Sequence, residues 1–308
     1  MSYDLLNELL QIFSEPYSGV VYHYTSADGV AGIIGNHEIW MSNTAFMNDT
    51  TELKMLQSAR SIFKEDDFTN EYVRSAWRNV LQQGSYDTNY YMASFSKEKD
   101  LLEQWRAYGS FCIGFDARKL RVRKGASLYR CLYRASDIRR WILRKEKTGG
   151  WAQLTEEIEK KLLAFNLFYI ASMKFKNGHF KNEKEVRLIT MSHHNWHYDN
   201  SPEMYEDNLP IHFRTHPVYG FPVPYVKFFI EQDDAEKTKK AKGREMEMKA
   251  RKLREESAKE RKLLPITEVI VGPVAYQKEA KAACEILLAE RGYKNVRVNV
   301  SSIPYRGL

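Results

Sequence analysis

Val20-Val-Tyr-His-Tyr-Thr-Ser-Ala-Asp-Gly-Val-Ala-Gly-Ile-Ile34 reads as a strand that runs straight into a helix. Residues 20–25 alternate with the period of two that a pleated strand imposes, whereas Val30, Ile33 and Ile34 fall on one helical face. Thr25 or Ser26 supplies a hydroxyl for the first free backbone N–H groups of that helix. Further along, 39–42 reads as a second strand. Asp49-Thr-Thr-Glu52 has capping-box spacing ahead of a helix whose apolar stripe is Leu53, Leu56, Ala59 and Phe63, so Phe46-Met-Asn-Asp49 is a loop.

The same periodicities predict a helix over 72–81, a strand over 90–95, and a short helix carrying Leu101, Leu102, Trp105 and Tyr108. Residues 111–115 and 127–133 read as a strand pair joined by a basic loop. Helices over 138–147 and 152–170 are divided by Gly149-Gly150, a strong breaker pair. Strands over 186–191 and 223–230 enclose a polar, proline-bearing passage, and a strand at 268–272, a helix at 276–291 and a strand at 294–300 close the chain.

Strands precede, interrupt and follow the helices without a steady βαβ rhythm. The expected fold is therefore α+β, with mixed, mainly antiparallel sheet flanked by helices, in a single domain over 1–308. Within it, 231–262 is a run of charged residues and helix formers in which Glu alternates with Lys and Arg at i,i+4 spacings. It reads as a helical protrusion: a solvated helix or a flexible insertion, or else an arm for a second copy, a partner protein or a polyanion.

With 308 residues and 43% hydrophobic content the chain can bury a sizeable core. No run of about 18 apolar residues exists to cross a membrane, and 5–13 is broken by Asn7, Glu8 and Gln11, so a soluble, cytoplasmic protein is expected. Cys112, Cys131 and Cys284 are widely spaced and odd in number, as buried thiols in a reducing compartment would be. A formal charge of +7 favours phosphate-bearing ligands, nucleic acid or acidic surfaces. There is no glycine-rich dinucleotide fingerprint, phosphate loop or Gly-x-Ser-x-Gly elbow. His193-His-Asn-Trp-His197 lacks Cys or carboxylate partners at zinc-motif distance, so no metal is predicted.

Three polar groups lie at strand ends, where binding residues collect. In His23-Tyr24-Thr25, His23 either projects into a cleft or is a satisfied core histidine. In Glu183-Lys-Glu185-Val-Arg187, period two puts the two carboxylates and the guanidinium on one face, with Val186 and Leu188 toward the core. That set is either a strand-face ion pair or a carboxylate placed to stabilise positive charge at an anomeric carbon. Ser94-Phe95-Ser96, followed by Trp105-Arg-Ala-Tyr108, offers hydroxyls and rings to a flat heteroaromatic ligand, or else a strand ending in a helix cap.

Taken in order, His23-Tyr-Thr25, Phe46-Met-Asn48-Asp49, Ser94-Phe-Ser96 with Trp105-x-x-Tyr108, Gly114-Phe-Asp116, Glu183-x-Glu-x-Arg187, Glu268-Val-Ile-Val-Gly272 and Ile303-Pro-Tyr-Arg306 resemble the bacterial domain-of-unknown-function family 2971. The resemblance covers nearly the whole chain except the protrusion. The layout is in turn similar to ADP-ribosyltransferases of the His-Tyr-Glu type. That likeness implies a toxin- or defence-type enzyme that transfers ADP-ribose from NAD to a protein or nucleic-acid acceptor, or hydrolyses NAD, without a metal. It implies that His23, with Tyr24 and Thr25, contacts a ribose, that Ser94, Phe95 and Ser96 with Trp105 or Tyr108 frame nicotinamide, and that Glu185 is the catalytic carboxylate. Arg187 would orient Glu185 or a phosphate. The Asn48-Asp49 loop, grouped with the cofactor-binding residues, has no clear counterpart in those transferases. The alternatives are a non-enzymatic nucleotide or nucleic-acid binding module, and a nuclease holding a divalent ion with Asp49, Glu52, Glu183 and Glu185.

Overall fold

The computed structural model describes residues 12–14, 17–47, 56, 60–83, 90–120, 126–192, 209–216, 220–231 and 261–304. In chain order its main elements are β1 (Val20–Thr25), α1 (Ala27–Asn36), β2 (Ile39–Asn43), α2 (Glu71–Gln83), β3 (Tyr90–Ser96), α3 (Leu102–Tyr108) and β4 (Phe111–Asp116). There follow α4 (Ala117–Leu120), β5 (Ala126–Arg130), α5 (Ala135–Thr148), α6 (Glu157–Lys174), β6 (Glu185–Met191), β7 (Ile211–Thr215) and β8 (Pro222–Phe228). The last are β9 (Ile230–Glu231), β10 (Arg261–Lys262), β11 (Ile266–Val271), α7 (Gln277–Glu290) and β12 (Arg297–Val300). The fold is α+β. Every strand pair whose register is defined is antiparallel except β11 with β12.

Residue contacts divide the chain into two compact units, one of 1–18, 40–98 and 124–227, the other of 19–39, 99–123 and 228–308. In the first, strands run in the order β5–β6–β3–β2–β8–β7. Its core lies where α2 and α5 pack against α6. There Trp77, fully enclosed, meets Phe63 edge-on at 5.1 Å, with the Phe168 ring 5.4 Å away. The start of α2 is finished by side chains: Asn70 accepts from Tyr72 N and Val73 N, while the buried Glu146 of α5 accepts from Thr69 N and Asn70 N.

In the second unit the order is β12–β11–β4–β1, and β9 pairs with β10 separately. Ser26 caps α1 by accepting from Gly29 N, and Val30, Ile33 and Ile34 are its buried face, as the sequence predicts. A smaller core holds Tyr22, Tyr24, Trp105, Cys112 and Ile270. Gly109 ends α3 at φ +124°, and a Cβ there would stand 2.6 Å from the Thr25 carbonyl oxygen. Both the backbone angle and the close approach demand glycine. Gly109→Ala is expected to cost on the order of 3 kcal/mol, read as a lowered urea midpoint at unchanged slope.

Three sequence expectations change. Residues 111–115 and 127–133 do not pair with each other: β4 lies between β1 and β11, and β5 pairs with β6. The helical turn α4 after β4 takes the chain away before a hairpin can form. The polar passage before β8 contains a strand, β7, paired with β8 along its whole length. Finally, Arg60–Ile62 is a 3-10 turn rather than part of a long helix, with Leu56 and Phe63 still buried. Residues 48–55, and 232–260 of the charged run, lie outside the described residues, so the Asn48-Asp49 loop and the helical protrusion do too.

Candidate functional site

β3 and β6 are hydrogen-bonded neighbours in a register that sets Ser96 opposite Glu185, Phe95 opposite Val186 and Ser94 opposite Arg187. Directly opposed residues share a face, so Ser94, Ser96, Glu185 and Arg187 form one patch, and Phe95 turns to the other side. The Ser-x-Ser and Glu-x-Arg motifs, ninety residues apart in the chain, are thus brought side by side.

The patch is not an open strand face. All seven residues of β6 are buried, with Glu185 5% exposed and Arg187 wholly enclosed, which corrects the expectation of one core face and one polar face. Arg187 grips Glu185 with two bonds, Nε to Oε1 at 3.0 Å and Nη2 to Oε2 at 3.0 Å, and donates its third arm to the Met173 carbonyl. Lys176, just beyond α6, reaches Glu185 Oε2 at 2.7 Å and Glu183 Oε2 at 2.6 Å. Glu183 itself sits in the 3-10 segment Gly178–Glu183, not on the strand.

Two carboxylates and two cations therefore balance inside the protein. Such a cluster survives burial only because every charge is paired and hydrogen-bonded. The backbone completes it: Glu185 N donates to Tyr133 Oη at 2.8 Å, and Ser96 Oγ donates to the Glu183 carbonyl while accepting from Glu98 N. Ser96 is thus spent on closing its strand end in a local turn and caps no helix, since the next helix begins at Leu102 after Leu101.

Burial pushes the Glu185 carboxyl up, but the Arg187 guanidinium and the Lys176 ammonium more than offset it, holding the group down at about 2. Burial opposes the charge of Lys176 as well, and Glu185 with Glu183 overcomes it, so its pKa is raised. Glu185 is an anion at any working pH, able to accept hydrogen bonds or face positive charge but not to donate a proton. The sign of the stability effect follows. A carboxyl whose native value lies below its unfolded value of 4.5 adds stability above that pH and loses it on acidification. The melting temperature is expected to fall between pH 4.5 and about 2, and less steeply in Glu185→Gln, which thermal scans across that range would read.

His23, Tyr24, Thr25, Trp105 and Tyr108 belong to the second unit, and Asn48 and Asp49 lie outside the described residues. His23 is half-buried on β1 opposite Ile113. Tyr24 is buried; its Oη accepts from Leu101 N, its ring meets Trp105 edge-on at 4.7 Å, and burial raises its pKa. Trp105 is 6% exposed, with its indole N–H on Asp100 Oδ1 at 2.9 Å. It is built into the core, where Gly272 lies against its ring. Thr25 is half-buried, and Tyr108 is 46% exposed. The 193–197 histidines lie outside the described residues, among which no group of three or more His, Cys, Asp or Glu side chains could hold a metal ion.

Sequence reasoning missed Lys176 and Tyr133, and set Glu183 on the face of the strand or on a metal rather than in the turn before it. It also missed that Glu268 of β11 accepts from Tyr22 Oη at 3.0 Å and Asn299 Nδ2 at 2.9 Å. The signal for Glu268 was present: a lone acid inside Ile266-Thr-Glu-Val-Ile-Val271 needs partners. A cavity of about 440 Å³ lies around Leu264, Pro265 and Tyr293 of the second unit, and none of the sequence-predicted residues lines it.

No family model, curated protein or solved structure matches this chain. No helix among the described residues is long and apolar enough to cross a membrane.

Proposed function

We propose that this chain is an NAD-consuming enzyme of toxin or defence type, an ADP-ribosyltransferase or NAD glycohydrolase with an ADP-ribosyltransferase-like fold, in which Glu185 serves the reacting ribose. One observation carries the reading beyond the motif resemblance: Ser94 and Ser96 stand on the strand next to Glu185 and Arg187, in register and on the same face. In the reaction, the bond between the ribose anomeric carbon and the nicotinamide nitrogen breaks. Nicotinamide leaves with the electron pair, a water or acceptor nucleophile adds to the oxocarbenium-like carbon, and that nucleophile's proton passes to solvent. A carboxylate that is permanently ionised and fixed by a two-pronged guanidinium supplies oriented negative charge to that transition state. Arg187, wholly enclosed and bonded to Glu185 and the Met173 carbonyl, takes the orienting role rather than a phosphate.

His23, Tyr24, Thr25 and Tyr108 belong to the second unit, and their cofactor roles rest on the resemblance alone. Trp105 is committed to the core by its bond to Asp100.

A second reading has its own support. The cluster is electrically balanced and nearly closed to solvent, as a structural brace of the sheet would be, in a protein that binds a nucleotide or nucleic acid without turning it over. The purified protein is incubated with NAD, alone and with protein or nucleic-acid acceptors, and released nicotinamide is followed by chromatography. Release above the buffer blank is the expected result. A rate indistinguishable from the blank under all three conditions overturns the enzyme reading in favour of the brace.

A further inference from the structure

In the first unit, β2, β8 and β7 are consecutive strands, and β7 ends the order. Their residues, Ile39-Trp-Met-Ser-Asn43, Pro222-Val-Pro-Tyr-Val-Lys-Phe228 and Ile211-His-Phe-Arg-Thr215, include no acid. On one face the rings form a ladder across the strands. Trp40 stacks on Tyr225 at 4.4 Å with 26° between planes, and His212, directly opposite Tyr225 in register, follows at 5.5 Å and 31°. Arg214 lies on that same face, since its Nη2 crosses β8 to donate to Ser42 Oγ at 3.1 Å. Lys227, two residues from Tyr225, points the same way by the period of two. Trp40 is 43% exposed although an indole is among the side chains most strongly driven indoors.

Tyr225 is buried within this row and Trp40 is its exposed end, beside the cations of strands that themselves contribute no acid, which suits a ligand that offers a flat face on an anionic strand. We infer that this face of β2, β8 and β7 binds single-stranded nucleic acid. An unpaired base stacks on the indole of Trp40 at the exposed end of the ladder, and phosphates lie along Arg214 and Lys227. Paired bases in a duplex hide their faces, so a duplex gains only the phosphate contacts. The surplus of positive charge in the whole chain adds long-range attraction to the same class of ligand. This site does not depend on the NAD reading and stands or falls separately from it.

The test is fluorescence anisotropy with a labelled fifteen-residue oligothymidine at low salt, compared with a duplex of the same length. The single strand is expected to bind more tightly. Trp40→Ala should weaken it about tenfold, and Trp40→Phe, which keeps a stacking ring, should retain most of the affinity. Arg214→Gln should lower the slope of log affinity against log salt by about one. Circular dichroism checks that each variant is folded. Equal affinity for Trp40→Ala and the natural protein, preference for the duplex, or no binding at low salt would each overturn the assignment. So would binding of an acidic peptide that the oligonucleotide cannot displace.

Discussion

Arg187→Met is expected to destabilise the protein by about 3–5 kcal/mol, the cost of stranding a buried charge, and to lower its melting temperature by roughly 10 °C. The side chain is fully enclosed, and three of its nitrogens are committed, two to Glu185 and one to the Met173 carbonyl. Methionine fills much of the volume but leaves the Glu185 carboxylate with Lys176 alone, and that lysine is shared with Glu183. Removing the carboxylate at the same time relieves the error. Glu185→Gln/Arg187→Met should therefore be more stable than Arg187→Met alone, a coupling that denaturant melts of the four proteins in the cycle would measure. Additive losses would mean that the two groups do not lean on each other.

Glu185→Gln carries the largest expected effect on activity. Glutamine keeps the shape and one acceptor oxygen but loses the negative charge, so a transition state that builds positive charge on the ribose carbon is left unsupported. Nicotinamide release should fall about a hundred- to a thousandfold, in line with the loss of one preorganised electrostatic group. The effect belongs in kcat, because NAD before bond cleavage gains little from that charge. Circular dichroism and a melting curve on the same sample separate this from unfolding, since Glu185→Gln also disturbs Lys176 and Arg187. A variant that is folded and turns NAD over at the natural rate removes Glu185 from the chemistry.

The sequence showed clearly the elements whose local pattern and tertiary setting agree. β1 and α1 are examples: alternation, then a hydroxyl cap, then an apolar face at Val30, Ile33 and Ile34. It misled where a strand is buried on both sides. Glu185 and Arg187 alternate with Val186 and Leu188 as a solvent face would, and nothing local reveals that Lys176, nine residues back and just beyond α6, bonds to Glu185. β7 was hidden for the opposite reason. Its burial is slight along its whole length, so His212, Arg214 and Thr215 look like loop residues, and only pairing with β8 makes them a strand. The resemblance tied Ser94–Ser96 and Glu185–Arg187 to one ligand, while their standing on neighbouring strands and their register came from the fold.

The way the two units divide the chain bears on how this protein is made. Each is assembled from three separated stretches, and β4 at Phe111–Asp116 pairs on one side with β11, whose residues Ile266–Val271 emerge from the ribosome some 150 positions later. One edge of the second unit therefore stays unpaired while the stretch between them is made, a period when such an edge invites pairing with other nascent chains. Neither unit corresponds to a contiguous gene fragment, so a truncation stopping before β11 should yield insoluble product rather than a working half.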